Sequence, residues 1–174
     1  MLHIYAGHMK QLLIVFILIQ LTSFKIDPTK GIDKEINRIN SNKSLAIKKF
    51  DANKVYDRHF DNGGEIRLFL DDNKLVKIFE SLGYEYGKTT ITIYLKRNDV
   101  IAIKETEEDF PWQNGSTLDM SKLKKVFDMM IYVDEWKMIN THTIGKRIHS
   151  ESMGEVTEYK ELVEKAEELL TQKN

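Results

Sequence analysis

A histidine between two aspartates is the first group of residues in this sequence that could carry out chemistry. Asp57, His59 and Asp61 occupy alternate positions, so their side chains share one face if the segment is a strand. A carboxylate can orient an imidazole as a general base or join it as a metal ligand. A calcium loop of the EF-hand type is excluded, because Asn62 stands where that loop requires glycine. The pattern favours the simpler alternative, a solvated strand edge.

Other groups that could hold a metal or attack a substrate are incomplete. His142 and His149 lie seven residues apart, which places them on opposite faces of a strand, so no zinc site is predicted. The acids 107–109 are interpreted as a solvated charge run, and Ser116 lacks the neighbours of a catalytic serine. The chain contains no cysteine, which excludes disulfides, cysteine ligands and lipid attachment to cysteine. We therefore predict neither a metal nor a cofactor.

Three segments of the chain superimpose without gaps, and each is typical of one β-hairpin. A strand of alternating apolar residues is followed by a few polar residues, after which the apolar positions return. The three hairpins span residues 66–78, 91–103 and 129–141.

The turn length of these hairpins decides which side chains share a face. Three-residue loops at 71–73 and 96–98 keep most aliphatic residues on one face. They place a ladder on the other, in which Phe69 lies beside Leu75, Tyr94 beside Val100 and Tyr132 beside Met138. An exposed ladder would be a binding strip for a peptide, a glycan or a protein. In the alternative arrangement, the loop carrying Phe110, Pro111 and Trp112 or an N-terminal helix covers it. The candidate binding residues are Phe69, Tyr94, Tyr132, Met138, Trp112 and Trp136.

The elements that would position these residues form an α+β domain. We predict an antiparallel β-meander of six to eight strands built from repeated hairpins, with a C-terminal helix and a short N-terminal helix packed on the sheet. The other predicted elements are a helix over 32–39, short strands over 43–50 and 54–60, a turn at 61–64, a long loop over 109–121 and a helix over 152–172.

This organisation resembles a group of small exported β-meander proteins of Bacteroidetes-type bacteria. The resemblance depends on the strand pairs at 69–78, 94–103 and 132–139, in which an aromatic residue, a turn and a Lys-containing apolar run recur. It covers roughly residues 45–145 and implies export and the meander fold. It implies no activity.

The first 24 residues have the pattern of an export signal. The stretch from Leu12 to Leu21 is uncharged and apolar except at Gln20, and Lys10 precedes it. This length fits the core of a secretory signal. We predict a signal peptide over 1–24 with Met9 as the start of translation, a single domain over 25–174, and a periplasmic or secreted protein. Retention of the signal as an anchor is the alternative.

Charge and composition limit the class of partner. The whole chain has 26 basic and 27 acidic side chains, and removal of the predicted signal takes away Lys10 alone, which leaves a formal charge of −2. Without a basic excess, nucleic acid is disfavoured, and no membrane association is expected after signal cleavage. We expect a non-catalytic binding protein of the cell envelope or the exterior, with a protein, peptide or glycan as partner. The alternatives are an immunity or inhibitor protein and a hydrolase using His59 with Asp57 or Asp61, or acids of the 105–109 stretch.

Overall fold

The structure is a computed structural model that describes residues 27–115, 117–148 and 155–172. The predicted signal peptide over 1–24 and the first residues of the predicted C-terminal helix, 152–154, lie outside these ranges. The described residues divide between two compact units, one that ends at residue 30 and one that begins at residue 31. Among the described residues of the first unit, the Asp27 carboxylate accepts hydrogen bonds from the Thr29 backbone N–H at 3.0 Å and hydroxyl at 2.8 Å. These bonds lower the pKa of Asp27.

The described residues form three helices, one 3₁₀ turn and nine strands. The helices are α1, Pro28–Ser41; α2, Ala52–Val55; and α3, Lys160–Thr171, which follows the 3₁₀ turn Val156–Tyr159. The strands are β1, Ala46–Asp51; β2, Gly64–Asp71; β3, Lys74–Tyr84; β4, Gly87–Lys96; β5, Asp99–Asp109; β6, Trp112–Gln113; β7, Thr117–Leu118; β8, Lys124–Asp134; and β9, Lys137–Gly145.

Seven of these strands form one antiparallel sheet. Their order is β1-β2-β3-β4-β5-β8-β9, and the short pair β6-β7 forms a separate ribbon within the predicted long loop. Every strand of the large sheet therefore lies beside its neighbour along the chain, apart from the β6-β7 insertion. The predicted α+β meander of repeated hairpins is confirmed. Within the described residues, no helix is long and apolar enough to cross a membrane.

The hairpin turns differ in length from the predicted three-residue loops. Both central residues of each turn have positive φ: 49° and 63° at Asp72-Asn73, 54° and 72° at Arg97-Asn98, and 46° and 60° at Glu135-Trp136. Two successive left-handed residues are typical of a two-residue type I′ turn, whose twist matches that of the flanking strands. The predicted loop length was wrong because Asn suits the left-handed region in both turn types.

A shift of register follows each of these turns. Leu70 pairs with Leu75, but Phe69 pairs with Lys77, so Val76 is an extra residue in its strand. The same shift recurs in the β4-β5 and β8-β9 hairpins. Because an extra residue reverses the alternation of side chains, Leu75 and Val100 lie in the core on the side of α3, and Val76 lies beneath α1. Met138 pairs with Val133 of the first core and so lies on that side too. The predicted neighbours of the ladder were therefore wrong in all three hairpins.

The segment predicted as a second short strand over 54–60 is instead a helical turn and a loop. The Asp51 side chain accepts a hydrogen bond from the Asn53 backbone N–H at 3.0 Å and begins α2 as its N-cap. The Asn53 side chain in turn accepts from the backbone N–H of Phe60 at 2.8 Å. These side-chain bonds satisfy backbone groups that a strand would have paired, which is why Asn and Asp favour turns here.

Each face of the sheet is packed against one helix. The first core lies between the sheet and the C-terminal segment, and its fully buried members include Ile66, Leu68, Ile78, Ile93, Ile103 and Ile131. The C-terminal segment contributes six buried residues to this core, which are Val156, Tyr159, Leu162, Val163, Ala166 and Leu169. The second core lies beneath α1 and contains Ile36, Ile39, Val76, Tyr94 and Ala102. The helices therefore cover part of each face of the sheet, and its other boundaries are the two edge strands, β1 and β9.

Candidate functional site

The aromatic ladder lies beneath α1. Tyr94 is only 6% exposed, and Asn40 Nδ2 of α1 donates to its hydroxyl at 3.1 Å. The Tyr132 hydroxyl donates to Asp33 Oδ1 of the same helix at 2.8 Å. Phe69 is half-buried against the second core, with Lys77 Nζ 4.0 Å from the centre of its ring. The alternative in which the N-terminal helix covers the ladder therefore describes the structure, and these three aromatic residues do not form an exposed strip.

The other three candidate binding residues lie on β6, in the β8-β9 turn and on β9. Trp112 is 62% exposed on β6, and Met138 is 46% exposed on β9. Trp136 packs at the margin of the first core, where Lys160 Nζ lies 5.4 Å from the centre of its ring. Trp136 also has the left-handed backbone of its turn, which is uncommon for a bulky residue. The six candidates do not share one surface.

The histidine and aspartates of the predicted hydrolase site lie in an exposed loop. Asp57, His59 and Asp61 are all exposed, and Asp57 has a positive φ of 47°. Because the segment is not a strand, the alternate spacing no longer places the three side chains on one face. No group of three His, Cys, Asp or Glu residues that could hold a metal occurs within the described ranges. Ser116 and His149 lie outside those ranges.

Two acids of the 105–109 stretch are buried, and the burial of Glu107 corrects the interpretation of 107–109 as a solvated charge run. Strand β5 continues to Asp109, so alternation turns Glu105 and Glu107 toward the first core, where they are 4% and 0% exposed. Arg147 Nη2 lies 2.6 Å from Glu105 Oε2, and the Tyr159 hydroxyl donates to the same oxygen at 2.5 Å. Burial and this contact with Glu105 raise the pKa of Tyr159.

These contacts attach the chain after β9 to the middle of the sheet. The backbone N–H of Ile148 donates to Glu107 Oε2 at 2.6 Å, and the Arg147 guanidinium lies 5.0 Å from the centre of the Phe127 ring. We call Glu105, Arg147 and Tyr159 the buried clasp. Buried carboxylates held by a cation and a hydroxyl have a clear structural use, because an unpaired charge there would be costly. The clasp fixes the course of the chain between β9 and α3.

A third buried carboxylate, Glu80, lies on β3 and accepts a hydrogen bond from the Tyr56 hydroxyl. Glu80 is only 5% exposed. Burial raises the pKa of Glu80 above its ordinary value of 4.5, and the nearby Glu161 carboxylate of α3 acts in the same direction, whereas the Tyr56 bond lowers it. Glu80 is therefore a buried acid whose ionisation opposes folding.

We expect Glu80→Gln to stabilise the protein at neutral pH. The amide is uncharged and keeps an oxygen that can accept from Tyr56, so the cost of burying a charge disappears. Because the folded-state pKa of Glu80 is raised, the contribution of this group to the free energy of unfolding is fully present below pH 4.5. That contribution is lost as pH rises through the folded-state pKa. Urea unfolding from pH 4 to pH 8 measures this. The gain of the variant over wild type should grow with pH, and a gain independent of pH would contradict the prediction.

The outer strand β9 is the most exposed part of the sheet. Although it is nine residues long, every one of its residues is exposed, including Met138 at 46%, Ile139 at 40% and Ile144 at 62%. It pairs with β8 on one side, and in the described sheet no strand follows it on the other. From Met138 to Gly145 it contains no charged side chain. An edge strand of this kind presents unpaired backbone groups to any extended chain.

The opposite edge of the sheet has a different character. Strand β1 has six residues, of which Lys48 and Lys49 are two, and it ends at Asp51. Charged residues, lysine especially, are a common protection of sheet edges against pairing with another chain. The β9 edge contains no proline and has a single lysine at its first position, Lys137. The two edges therefore differ in how readily they accept another strand.

A glycine ends β9 at a close contact with β8. Gly145 has a φ of +83°, and a side chain there would place its Cβ 1.9 Å from the Val126 carbonyl oxygen. The next residue, Lys146, donates its backbone N–H to the same oxygen at 3.2 Å. Only glycine accommodates this combination of conformation and contact without strain.

We expect Gly145→Ala to lower the free energy of unfolding by about 1–3 kcal/mol, the usual cost of a strained backbone position. In the Gly145→Ala variant, the backbone amides of β9 should also exchange with solvent faster than those of β1, because the strained residue 145 is the last residue of β9. Gly31→Ala is the control: nothing lies within 4 Å of its Cβ position in α1. That substitution should raise stability by about 1 kcal/mol. Equal effects of the two substitutions would contradict the assignment of strain to Gly145.

The exposure of the β9 edge was difficult to predict from the sequence. Its apolar residues, Met138, Ile139 and Ile144, follow no regular alternation, and the hairpin repeat resembles those in the buried middle of the sheet. The available signal was the position of this hairpin after all other strands, which makes its second strand a sheet edge in a meander.

Comparisons with protein-family models, with curated proteins and with solved structures find no match to this chain.

Proposed function

We propose that this protein is a binding protein that takes up an extended segment of another polypeptide along β9. The observation that supports this most directly is the exposure of all nine residues of β9 at the edge of the sheet. A peptide that adds to such an edge gains backbone hydrogen bonds for affinity, while alternate side chains determine specificity. The alternative of a hydrolase that uses Glu105 has less support, because Arg147 and Tyr159 hold this acid in the core.

The predicted export signal supports a place for this binding in the cell envelope or outside the cell. The apolar stretch from Leu12 to Leu21 is the basis of that part of the proposal. The partner segment should be extended and poor in charge, because the β9 residues beside it from Met138 to Gly145 are uncharged. Pairs of β-branched or apolar residues across strands would then stabilise the complex.

Matched lysine substitutions at the two edges test this proposal. Ile144 on β9 is 62% exposed and Ile47 on β1 is 50% exposed, so Ile144→Lys and Ile47→Lys should both leave the fold intact. A lysine on an edge strand opposes pairing with another chain. We expect Ile144→Lys to lose the bound polypeptide and Ile47→Lys to keep it.

The measurement is photo-crosslinking in the native host with a photoreactive residue at Asn140 on β9 or, as a control, at Lys48 on β1. Cross-linked polypeptides are identified by mass spectrometry, and their attachment sites are mapped. We expect cross-links from Asn140 to an extended segment that disappear in the Ile144→Lys variant. Cross-links that form equally from Lys48, or that survive Ile144→Lys unchanged, would overturn the proposal.

A further inference from the structure

We infer that the segment paired with β9 is β9 of a second copy of this chain. The two strands would run antiparallel and join two seven-stranded sheets into one. This inference rests on the proposed function, because it requires the β9 edge to accept a strand. It goes further by naming the occupant, and it follows from which residues of β9 can lie opposite one another.

The alternation of side chains along β9 restricts the position of the two-fold axis. Asn140 pairs with Tyr132, whose hydroxyl bonds to α1, so Asn140, His142 and Ile144 lie on the α1 side of the sheet. Thr141 pairs with Ile131 of the first core, so Thr141 and Thr143 lie on the opposite side. Residues directly opposite in an antiparallel pair share a face. The axis must therefore pass through a residue and cannot pass between two.

The regular part of β9 selects His142 as that residue. The register shift opposite Tyr132 and Val133 disturbs the strand before Asn140, and Gly145 ends it. With the axis at His142, Thr141 faces Thr143 of the second copy twice, and Asn140 faces Ile144 twice. An axis at Thr143 would instead place Asn140 opposite Lys146 and Thr141 opposite Gly145, which has no side chain to pack.

The chosen register also places no Lys, Arg, Asp or Glu side chain opposite its own copy. A residue on a two-fold axis lies opposite itself, so any charged residue there would face a like charge. The central position holds a histidine, and no Lys, Arg, Asp or Glu lies between Met138 and Gly145. The same arrangement at β1 would bring Lys48 or Lys49 close to its own copy, because those two residues occupy the middle of that strand. The charge pattern thus favours self-pairing at β9 and opposes it at β1.

The affinity of this pairing should be modest. One ladder of five residues on each strand, 140–144, buries less surface than the roughly 1,600 Å² of a standard interface. We therefore expect a dissociation constant in the micromolar range. Sedimentation velocity of the full chain from about 1 to 500 μM covers that range.

Single-cysteine variants test the register directly, because the natural chain contains no cysteine. His142→Cys places two thiols directly opposite each other, with Cβ atoms about 4.5–5.5 Å apart, close to the separation of about 3.5–4.5 Å that a disulfide favours. Thr141→Cys and Thr143→Cys place each thiol opposite a threonine, so their own copies are out of reach. We expect His142→Cys to form at least about tenfold more disulfide-linked dimer under mild oxidation than either neighbour.

The lysine variants provide the second measurement. Ile144→Lys should weaken the dimer at least about tenfold, because each substitution occurs twice in a symmetric pair. Ile47→Lys should sediment as wild type does. A wild-type chain that remains a monomer up to about 500 μM, or equal disulfide formation at all three positions, would overturn the inference.

The two proposals fail in different ways. If the chain is a monomer but Ile144→Lys still loses a cross-linked polypeptide in the host, the second copy is overturned and the proposed function stands. If Ile144→Lys changes neither sedimentation nor cross-linking, both are overturned. A dimer that resists Ile144→Lys and gives no preferred cross-link at position 142 lies at another surface, which also overturns the inference.

Discussion

Replacing Arg147 by methionine should lower the free energy of unfolding by about 3–5 kcal/mol, the usual cost of breaking a buried ion pair from one side. The Arg147 and Glu105 side chains are 11% and 6% exposed. Methionine preserves much of the aliphatic volume but leaves the Glu105 carboxylate buried with the Tyr159 hydroxyl as its remaining clasp partner. The attraction between the two charges would then be lost, while the free-energy cost of keeping the Glu105 carboxylate away from water would remain. Urea unfolding at pH 7, followed by tryptophan fluorescence, measures the change.

A double substitution distinguishes the loss of the Arg147–Glu105 ion pair from the cost of burying the Glu105 carboxylate without its cation. Glu105→Gln combined with Arg147→Met removes both charges, so its loss should be smaller than the sum of the single losses. Lys165→Met is the control, because Lys165 pairs with Glu168 at 2.9 Å on the surface of α3, and Glu168 is 60% exposed. That substitution should cost less than about 1 kcal/mol. Equal losses for Arg147→Met and Lys165→Met would show that the clasp is not a buried ion pair.

Ile131→Ala on β8 should cost about 2–5 kcal/mol, whereas Ile144→Ala on β9 should change stability by less than about 0.5 kcal/mol. Ile131 is 0% exposed in the first core, and Ile144 is 62% exposed one strand further out. Deleting the first side chain leaves a cavity, while deleting the second removes atoms that already contact water.

This pair of variants locates the boundary between the packed sheet and its open edge. Thermal or urea unfolding of both, measured under the same conditions, gives the two free energies. In a sample dilute enough to be monomeric, a loss of more than about 2 kcal/mol in Ile144→Ala would mean that Ile144 is buried within its own chain. The edge would then be unavailable to a second chain, and the Ile144→Lys experiments would lose their basis.

The repeat of hairpins was predictable from the sequence because alternation and turn residues agree along it. The ends of the strands were less predictable. Asn73 and Asn98 fit either a two-residue or a three-residue turn, since asparagine tolerates the left-handed region in both. The register shift after each turn decides between them, and it depends on the pairing of whole strands. This is why Leu75 and Val100 were assigned to the wrong face.

The buried acids show a different limit. Glu105 and Glu107 follow Ile103 at alternate positions, so strand geometry alone would place all three on one face. The charge of Glu107 and its neighbours instead favoured a solvated run, because a buried carboxylate requires a partner. The partners of Glu105, which are Arg147 and Tyr159, are more than 40 residues away along the chain. A contact of that range cannot be inferred from local pattern.

The sequence did not decide whether α1 covers the ladder. The helical spacing of Ile32, Ile36 and Ile39 predicted an amphipathic helix, but not which surface it would cover. Asn40 and Asp33 bond to Tyr94 and Tyr132, and such polar contacts between distant residues become visible only in the fold.

The difference between the two sheet edges limits the size of any assembly that grows by strand addition. A molecule with two accepting edges can add copies at both ends without limit, as filaments do. Lys48 and Lys49 oppose addition at β1, while the uncharged β9 permits it. Pairing of β9 with itself uses the permissive edge of both copies and leaves a lysine-bearing edge at each end. Asymmetry between the edges therefore allows a closed pair and prevents a fibre.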